Sequence, residues 1–167
     1  MSNLIKKYAG IGSRETPPHI LMLMDRFAQH LAKLEYELHS GRAKGADKEF
    51  EKGCDKVKGK KRIWLPQHTT PESLTLAAQF HPAWHRCDEY AKRLHARNGL
   101  ILLGADLNTP VEFIVCWTSK ALITGGTGQA LRIAEAWHIR VYNLANEVAI
   151  QQLFKRIETS MRLKNEH

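Results

Sequence analysis

Three short stretches combine small residues with groups that bind anions: Gly10-Ile11-Gly12-Ser13-Arg14, Ser40-Gly41-Arg42-Ala43-Lys44-Gly45-Ala46-Asp47 and Thr124-Gly125-Gly126-Thr127-Gly128-Gln129. Small residues let a ligand approach the backbone, and a helix that starts after such a turn offers its first free N–H groups to an anion. Arg14 supplies a guanidinium fork and Ser13 a hydroxyl, while Arg42 and Lys44 add mobile positive charge. Glycine weakens whatever regular element it interrupts, so three such turns are poorly explained by packing alone. Together they are read as one phosphate-binding crevice. Asp47, Glu49 and Glu112 are the carboxylates available for acid–base work; Asp47 at a helix start has helix capping as an equal explanation.

Positioning these turns requires a regular scaffold. Residues 4 to 11 read as a first strand entering the Gly10–Gly12 loop, with Thr16 as N-cap and Pro17 and Pro18 opening a helix. Ile20, Leu23, Met24, Phe27, Leu31 and Leu34 recur at helical spacing, and Met22 and Met24 are read as helix packing. A second strand over 37–40 leads to a helix over 47–57, and Arg62-Ile63-Trp64-Leu65-Pro66 reads as a third strand closed by proline. Residues 67–82 are expected to be loop-rich and mobile, with a short helix from Pro71 to Phe80. A helix resumes at Trp84, and periodicity does not decide whether Leu100-Ile101-Leu102-Leu103 ends it or forms a strand. Val111 to Trp117 has the apolar run of a strand buried on both faces. A helix over 126–138, a strand over 140–144 and a last helix over 145–162, with Val148, Leu153 and Ile157 inward, complete the alternation. Alternating strands and helices predict an α/β domain with a parallel sheet of about five strands and helices on both faces, with ligands outside the carboxyl ends of the strands.

Composition narrows the partners. The 167 residues suffice for one domain, and 25 Lys and Arg against 17 Asp and Glu give a net charge of +8, which favours polyanions. Solubility is the competing explanation of that charge. Cys54, Cys87 and Cys116 are odd in number without CxxC spacing, so a disulfide framework is not expected and a reducing cytoplasm fits best. With no signal-like or membrane-spanning apolar run, no membrane association is expected. The turns match neither G-x-G-x-x-G nor G-x-x-x-x-G-K-[ST], which argues against NAD and ATP chemistry; no cofactor is expected.

Taken in order, the motifs resemble the Rossmann-like domain of the DNA-processing protein A family, within the SLOG superfamily. Gly12-Ser13-Arg14 is similar to that family's GSR turn, Ser40 to Asp47 to its SGxAxGxD, and Arg97-Asn98 followed by an apolar run and Gly104 to its RN segment. Ile123-Thr124 through Ala130 resembles its threonine-containing turn, and Val141-Tyr142-Asn143-Leu144 its closing strand. The resemblance spans roughly residues 8 to 144 and implies a single Rossmann-like domain. It also implies a nucleotide- or phosphate-binding set: Gly12, Ser13, Arg14, Ser40, Gly41, Arg42, Lys44, Gly45, Asp47, Arg97, Asn98, Thr118, Gly125, Gly126, Thr127 and Gln129. Trp117 is read either as a base-stacking group at the same edge or as core.

The family's DNA-uptake members carry flanking domains for which this length leaves no room, and a compact version suits a phage or mobile-element protein. The related Lonely-guy hydrolases carry a catalytic glutamate in a PGGxGTxxE loop, where this chain has Arg132. A cation there counts against N-glycosidic cleavage. The leading expectation is therefore single-stranded DNA binding as a recombination mediator; the alternatives are a nucleoside 5'-monophosphate N-glycosidase and a nucleotide-signal binding protein. Monomer and homodimer both stay open. His81, His85 and Cys87 suggest a zinc set, but Pro82 and the missing fourth ligand fit no common spacing, and no metal is expected.

Overall fold

The computed structural model describes residues 4–167. Five parallel strands form one sheet in the order β3-β2-β1-β4-β5: β1 Lys7–Gly10, β2 Glu37–Ser40, β3 Lys61–Ile63, β4 Phe113–Cys116 and β5 Arg140–Asn143. Six α-helices accompany them: α1 Pro18–Lys33, α2 Ala46–Lys56, α3 Pro71–Phe80, α4 Glu89–Leu103, α5 Gly125–Ala136 and α6 Glu147–Asn165. Register is continuous across the centre, where Ala9 pairs with His39 on one side and with Ile114 on the other. This is the Rossmann-like arrangement expected from the alternation of elements.

The sheet separates two apolar layers. On one face Met24, Phe27 and Leu31 of α1, Phe50 of α2 and Leu153 and Ile157 of α6 pack on Tyr8, Leu38 and Phe113. On the other, Leu100 to Leu103 of α4 and Ala130, Ile133 and Ala134 of α5 pack on Ala9, Ile114 and Cys116. Odd and even strand positions thus feed opposite layers, as the two-residue period requires. Burial holds the thiols of Cys54 and Cys116 protonated, raising their pKa to about 11 and about 12, while Cys87 is only partly buried.

One open alternative is decided and several local expectations are corrected. Residues 100–103 are helix: α4 is covered by the sheet and by its neighbours, so its end is apolar all round, which erases the periodic signal. The short helix expected from Pro71 to Phe80 is present with those bounds, as ten residues of regular helix. It starts at a reciprocal cap in which Thr70 Oγ1 accepts from Ser73 N–H and Ser73 Oγ accepts from Thr70 N–H, at 3.1 and 2.8 Å. Trp84 opens a short 3-10 turn, and α4 begins only at Glu89. Thr16 does not cap α1; its hydroxyl donates to the Ser13 carbonyl at 2.6 Å and closes the turn after β1. Met22 and Val148 face solvent instead of the core. Among the described residues, no helix is long and apolar enough to cross a membrane.

Helices α1 and α2 approach so closely at Gly53 that an added Cβ would lie 2.4 Å from the Asp25 carbonyl oxygen and 2.9 Å from Ala28 Cβ. Backbone cannot yield there without spreading the helices. Gly53→Val is expected to lower unfolding stability by at least about 2 kcal/mol in urea titrations, and an unchanged midpoint would refute this tight packing.

Candidate phosphate-binding cleft

Strand β1 leads leftward to β2 and β4 leads rightward to β5, so the loops that follow β1 and β4 diverge. A cleft of about 810 Å³ opens where they part, at the carboxyl edge of the sheet. Its floor comes from Gly12-Ser13-Arg14, its sides from Gly41 to Lys44, Thr118-Ser119 and Thr124 to Thr127, and its far wall from α4.

Backbone bonds extend past the strand ends to fix the floor. Ile11 N–H donates to the Val115 carbonyl at 3.1 Å and Ser13 N–H to the Trp117 carbonyl at 3.3 Å. Ser40, fully buried, donates its hydroxyl to the Gly10 carbonyl at 2.6 Å and so ties the second loop to the first. Gly45 has φ 92°, and a Cβ on it would sit 2.9 Å from the Ser13 carbonyl oxygen. The two loops touch through backbone, and a β-branched residue at 45 would separate them.

Asp47 is held inside this junction. Its Oδ2 accepts from the N–H groups of Gly41 and Ala43 at 3.2 and 3.4 Å, so the carboxylate caps the preceding loop; Gly45 occupies the N-cap position of α2. Burial raises its pKa to about 6, against the opposing pull of the Arg97 guanidinium and of these N–H groups. Arg97 donates from Nη1 to the Gly41 carbonyl at 3.0 Å, while its Nε is buried without a partner among the described residues. A Cβ at 41 would lie 2.8 Å from the guanidinium carbon, so a side chain there would push Arg97 away from the loop.

Asn98, on the next position of α4, donates from Nδ2 to Gln129 Oε1 at 2.8 Å and to the Gly126 carbonyl at 3.2 Å. Gln129 in turn donates to the Ala77 carbonyl at 3.5 Å and is fully buried. Gln129 therefore orients Asn98 from beneath and does not line the cleft. Gly125 and Gly126, at the exposed start of α5, have open space where a side chain would stand. Thr118 is buried, its hydroxyl accepting from Asn143 Nδ2 at 2.7 Å.

Other expected residues lie elsewhere or are committed. Arg42 lines the cleft, but its guanidinium makes a two-pronged bond to Glu51, at 3.0 and 2.8 Å, and this pair drives the Glu51 pKa down to about 2. Glu112 sits at the opposite edge of the sheet, where its N–H donates to the Lys7 carbonyl and its carboxylate pairs with Arg156 at 3.1 Å. Glu49 faces Lys52 on the flank of α2. Trp117 packs against the α1/α2/α6 layer instead of offering a stacking face. Of the carboxylates singled out, Asp47 alone is in the cleft. The sequence reading omitted Tyr90, Ala91, Leu94 and His95, which line the α4 wall. Their spacing to Arg97 and Asn98 is helical, with Tyr90, Leu94 and Arg97 on one stripe and Ala91, His95 and Asn98 on the next, so a face count from the RN pair finds them.

His81, Cys87 and His95 also come together, whereas His85 is exposed and apart from them. Burial, with His81, Arg132 and Arg97 nearby, lowers the His95 pKa to about 4. Its ring is neutral at physiological pH.

No family model matches the chain, and no curated protein matches it. A solved structure of DNA processing protein A from Helicobacter pylori, described for its unique single-stranded DNA binding mode, is similar with a TM-score of 0.61. Sequence identity is 16%, over 95% of this chain and 81% of that one. At that identity the likeness establishes the fold.

The Asp47 environment has a measurable pH signature. A folded-state pKa of about 6, above the unfolded value, means that folding takes up a proton; the stabilising contribution is complete below about pH 4 and is lost as pH rises through 6. Asp47→Asn is expected to gain up to roughly 3 kcal/mol relative to wild type between pH 4 and pH 7. The check is urea unfolding across that range, together with a wild-type Asp47 carboxyl NMR midpoint near 6; a flat difference would mean that the carboxylate is well solvated.

Proposed function

We propose that the cleft binds the sugar–phosphate backbone of single-stranded DNA, and that the protein serves as a cytoplasmic DNA-binding factor in recombination. The observation that carries this reading is the placement of exposed Arg14 and Lys44 at the same opening as the exposed Gly125 and Gly126 at the start of α5. Side-chain cations and a helix N-terminus then face one anion path, and neither depends on base identity. Tyr90, 65% exposed on the α4 wall, offers a flat face for a base. The net charge of +8 adds long-range attraction for a polyanion, and the similar Helicobacter pylori protein is described as binding single-stranded DNA.

A second reading is favoured by one observation. Asp47 is a buried carboxyl with its pKa near 6 beside a nucleotide-sized cleft, which is the form of a general acid or base in N-glycosidic cleavage of a nucleoside 5'-monophosphate. Against it stand the two backbone N–H bonds that already engage Asp47, and Arg132 in place of the hydrolases' glutamate.

Anisotropy titrations with a labelled oligonucleotide separate the two. A DNA groove is expected to give a log–log salt slope of about −0.7 for each phosphate neutralised, and several phosphates in total. Arg14→Ala is expected to weaken binding by about 1.5–3 kcal/mol and to make the slope shallower by about 0.7. A nearly salt-independent affinity, matched by a mononucleotide, would refute the DNA reading. Release of free base from a nucleoside monophosphate, abolished in Asp47→Asn, would establish the enzymatic one.

A further inference from the structure

The cluster of His81, Cys87 and His95 belongs to neither reading above. His81 directly follows α3, Cys87 directly precedes the N-cap of α4, and His95 lies two turns into α4 and contributes to the cleft wall. One donor atom from each residue lies within 4.8 Å of the other two. Cys87 Sγ is 3.7 Å from His81 Nε2, and the two imidazole rings are 4.3 Å apart in an edge-to-face arrangement. We propose that these three residues form a binding site for a borderline-soft divalent cation, zinc above all, that fastens the 81–88 connection to α4.

Geometry and ligand chemistry agree on the class of ion. With bonds of about 2.3 Å to sulfur and about 2.0 Å to nitrogen, a tetrahedral centre separates these donors by roughly 3.5 Å, close to the observed spacing of Cys87 and His81. A thiolate with two imidazoles selects zinc or cobalt over magnesium and calcium, which require oxygen ligands. A purely hydrogen-bonded cluster accounts poorly for the site. His95 Nδ1 is buried with no partner among the described residues, and the contact of Cys87 Sγ with the Ala83 carbonyl, at 3.8 Å, is weak.

Two features set conditions on the site. Ala83 N–H donates to His81 Nδ1 at 3.0 Å, so ligation through Nε2, which places the ring proton on Nδ1, displaces that bond. Arg97 and Arg132 lie close enough to His95 to act on its charge state. Their positive field is offset by the Cys87 thiolate and favours an anionic oxygen in the fourth position.

The full chain, stripped with a chelator and titrated with cobalt(II), tests this directly. One equivalent is expected to produce a near-ultraviolet thiolate-to-cobalt absorption that zinc abolishes by displacement. Cys87→Ser is expected to remove the band, His95→Gln to weaken affinity at least about tenfold, and His85→Gln, an exposed histidine of the same segment, to change nothing. Absence of the band in wild type, or its survival in Cys87→Ser, overturns the proposal. Should a variant fail to fold, wild-type alkylation replaces it: one equivalent of zinc is expected to protect Cys87 from iodoacetamide, as read by mass spectrometry, and equal labelling with and without zinc overturns the site.

Discussion

The constraint on which this structure depends is the approach of two backbones. The turn after β1 and the turn after β2 meet with almost no side-chain matter between them, the virtual Cβ of Gly45 falling 2.9 Å from the Ser13 carbonyl and that of Gly12 2.6 Å from Ala46 Cβ. Within the second turn the N–H groups of Gly41 and Ala43 converge on one carboxylate, and Asp47 is buried between that backbone and the Arg97 guanidinium. Because Gly41 carries no side chain, Arg97 can reach across from α4 and lay its guanidinium against the same loop. The cleft follows from these contacts: β1 and β4 send their chains in opposite directions, and the floor of the gap is main chain held by its own hydrogen bonds.

Charge in the cleft is more selective than the composition suggests. Arg42 sits on the rim yet is neutralised by Glu51, which also holds Lys61 at 2.8 Å. That pairing fixes the backbone of a residue at positive φ, 59° for Arg42, and so serves the shape of the loop. Besides Arg42, the exposed cations of the opening are Arg14, on the floor, and Lys44, on the loop after β2.

How much of this was legible in the sequence depended on whether each signal was local. The order of strands and helices was, since β4 is an apolar run and the turns after β1 and β2 carry their own small residues. Leu100 to Leu103 were not: a helix covered on every side loses the polar stripe that marks it as a helix. The helix from Pro71 to Phe80 was legible for the same reason, because its start carries proline and the reciprocal cap of Thr70 and Ser73 is local. For the site, Gly12 to Arg14, Ser40 to Asp47 and Arg97-Asn98 all converge as their spacing implied, because each stands at a strand end or on one helix face. Glu112 and Gln129 did not join them. One precedes its strand instead of following it, and the other points from α5 into the interior toward Ala77; both facts depend on which end or side of an element a residue occupies. The partner of Arg42 lies nine residues away on α2, a distance at which residue type alone does not reveal pairing.

The unequal burial of the three cysteines has a practical meaning for the intact molecule. Cys54 and Cys116 are enclosed in the two apolar layers on opposite faces of the sheet, with thiols that ionise only in strongly alkaline solution. Nucleophilic sulfur is the thiolate, so electrophiles and oxidants encountering the folded chain find those two inert. Cys87, in the connection that precedes the α4 wall, is the accessible one. The wild-type protein thereby carries a built-in attachment point for a fluorophore or spin label beside its cleft, while modification at either of the other two positions would report unfolding.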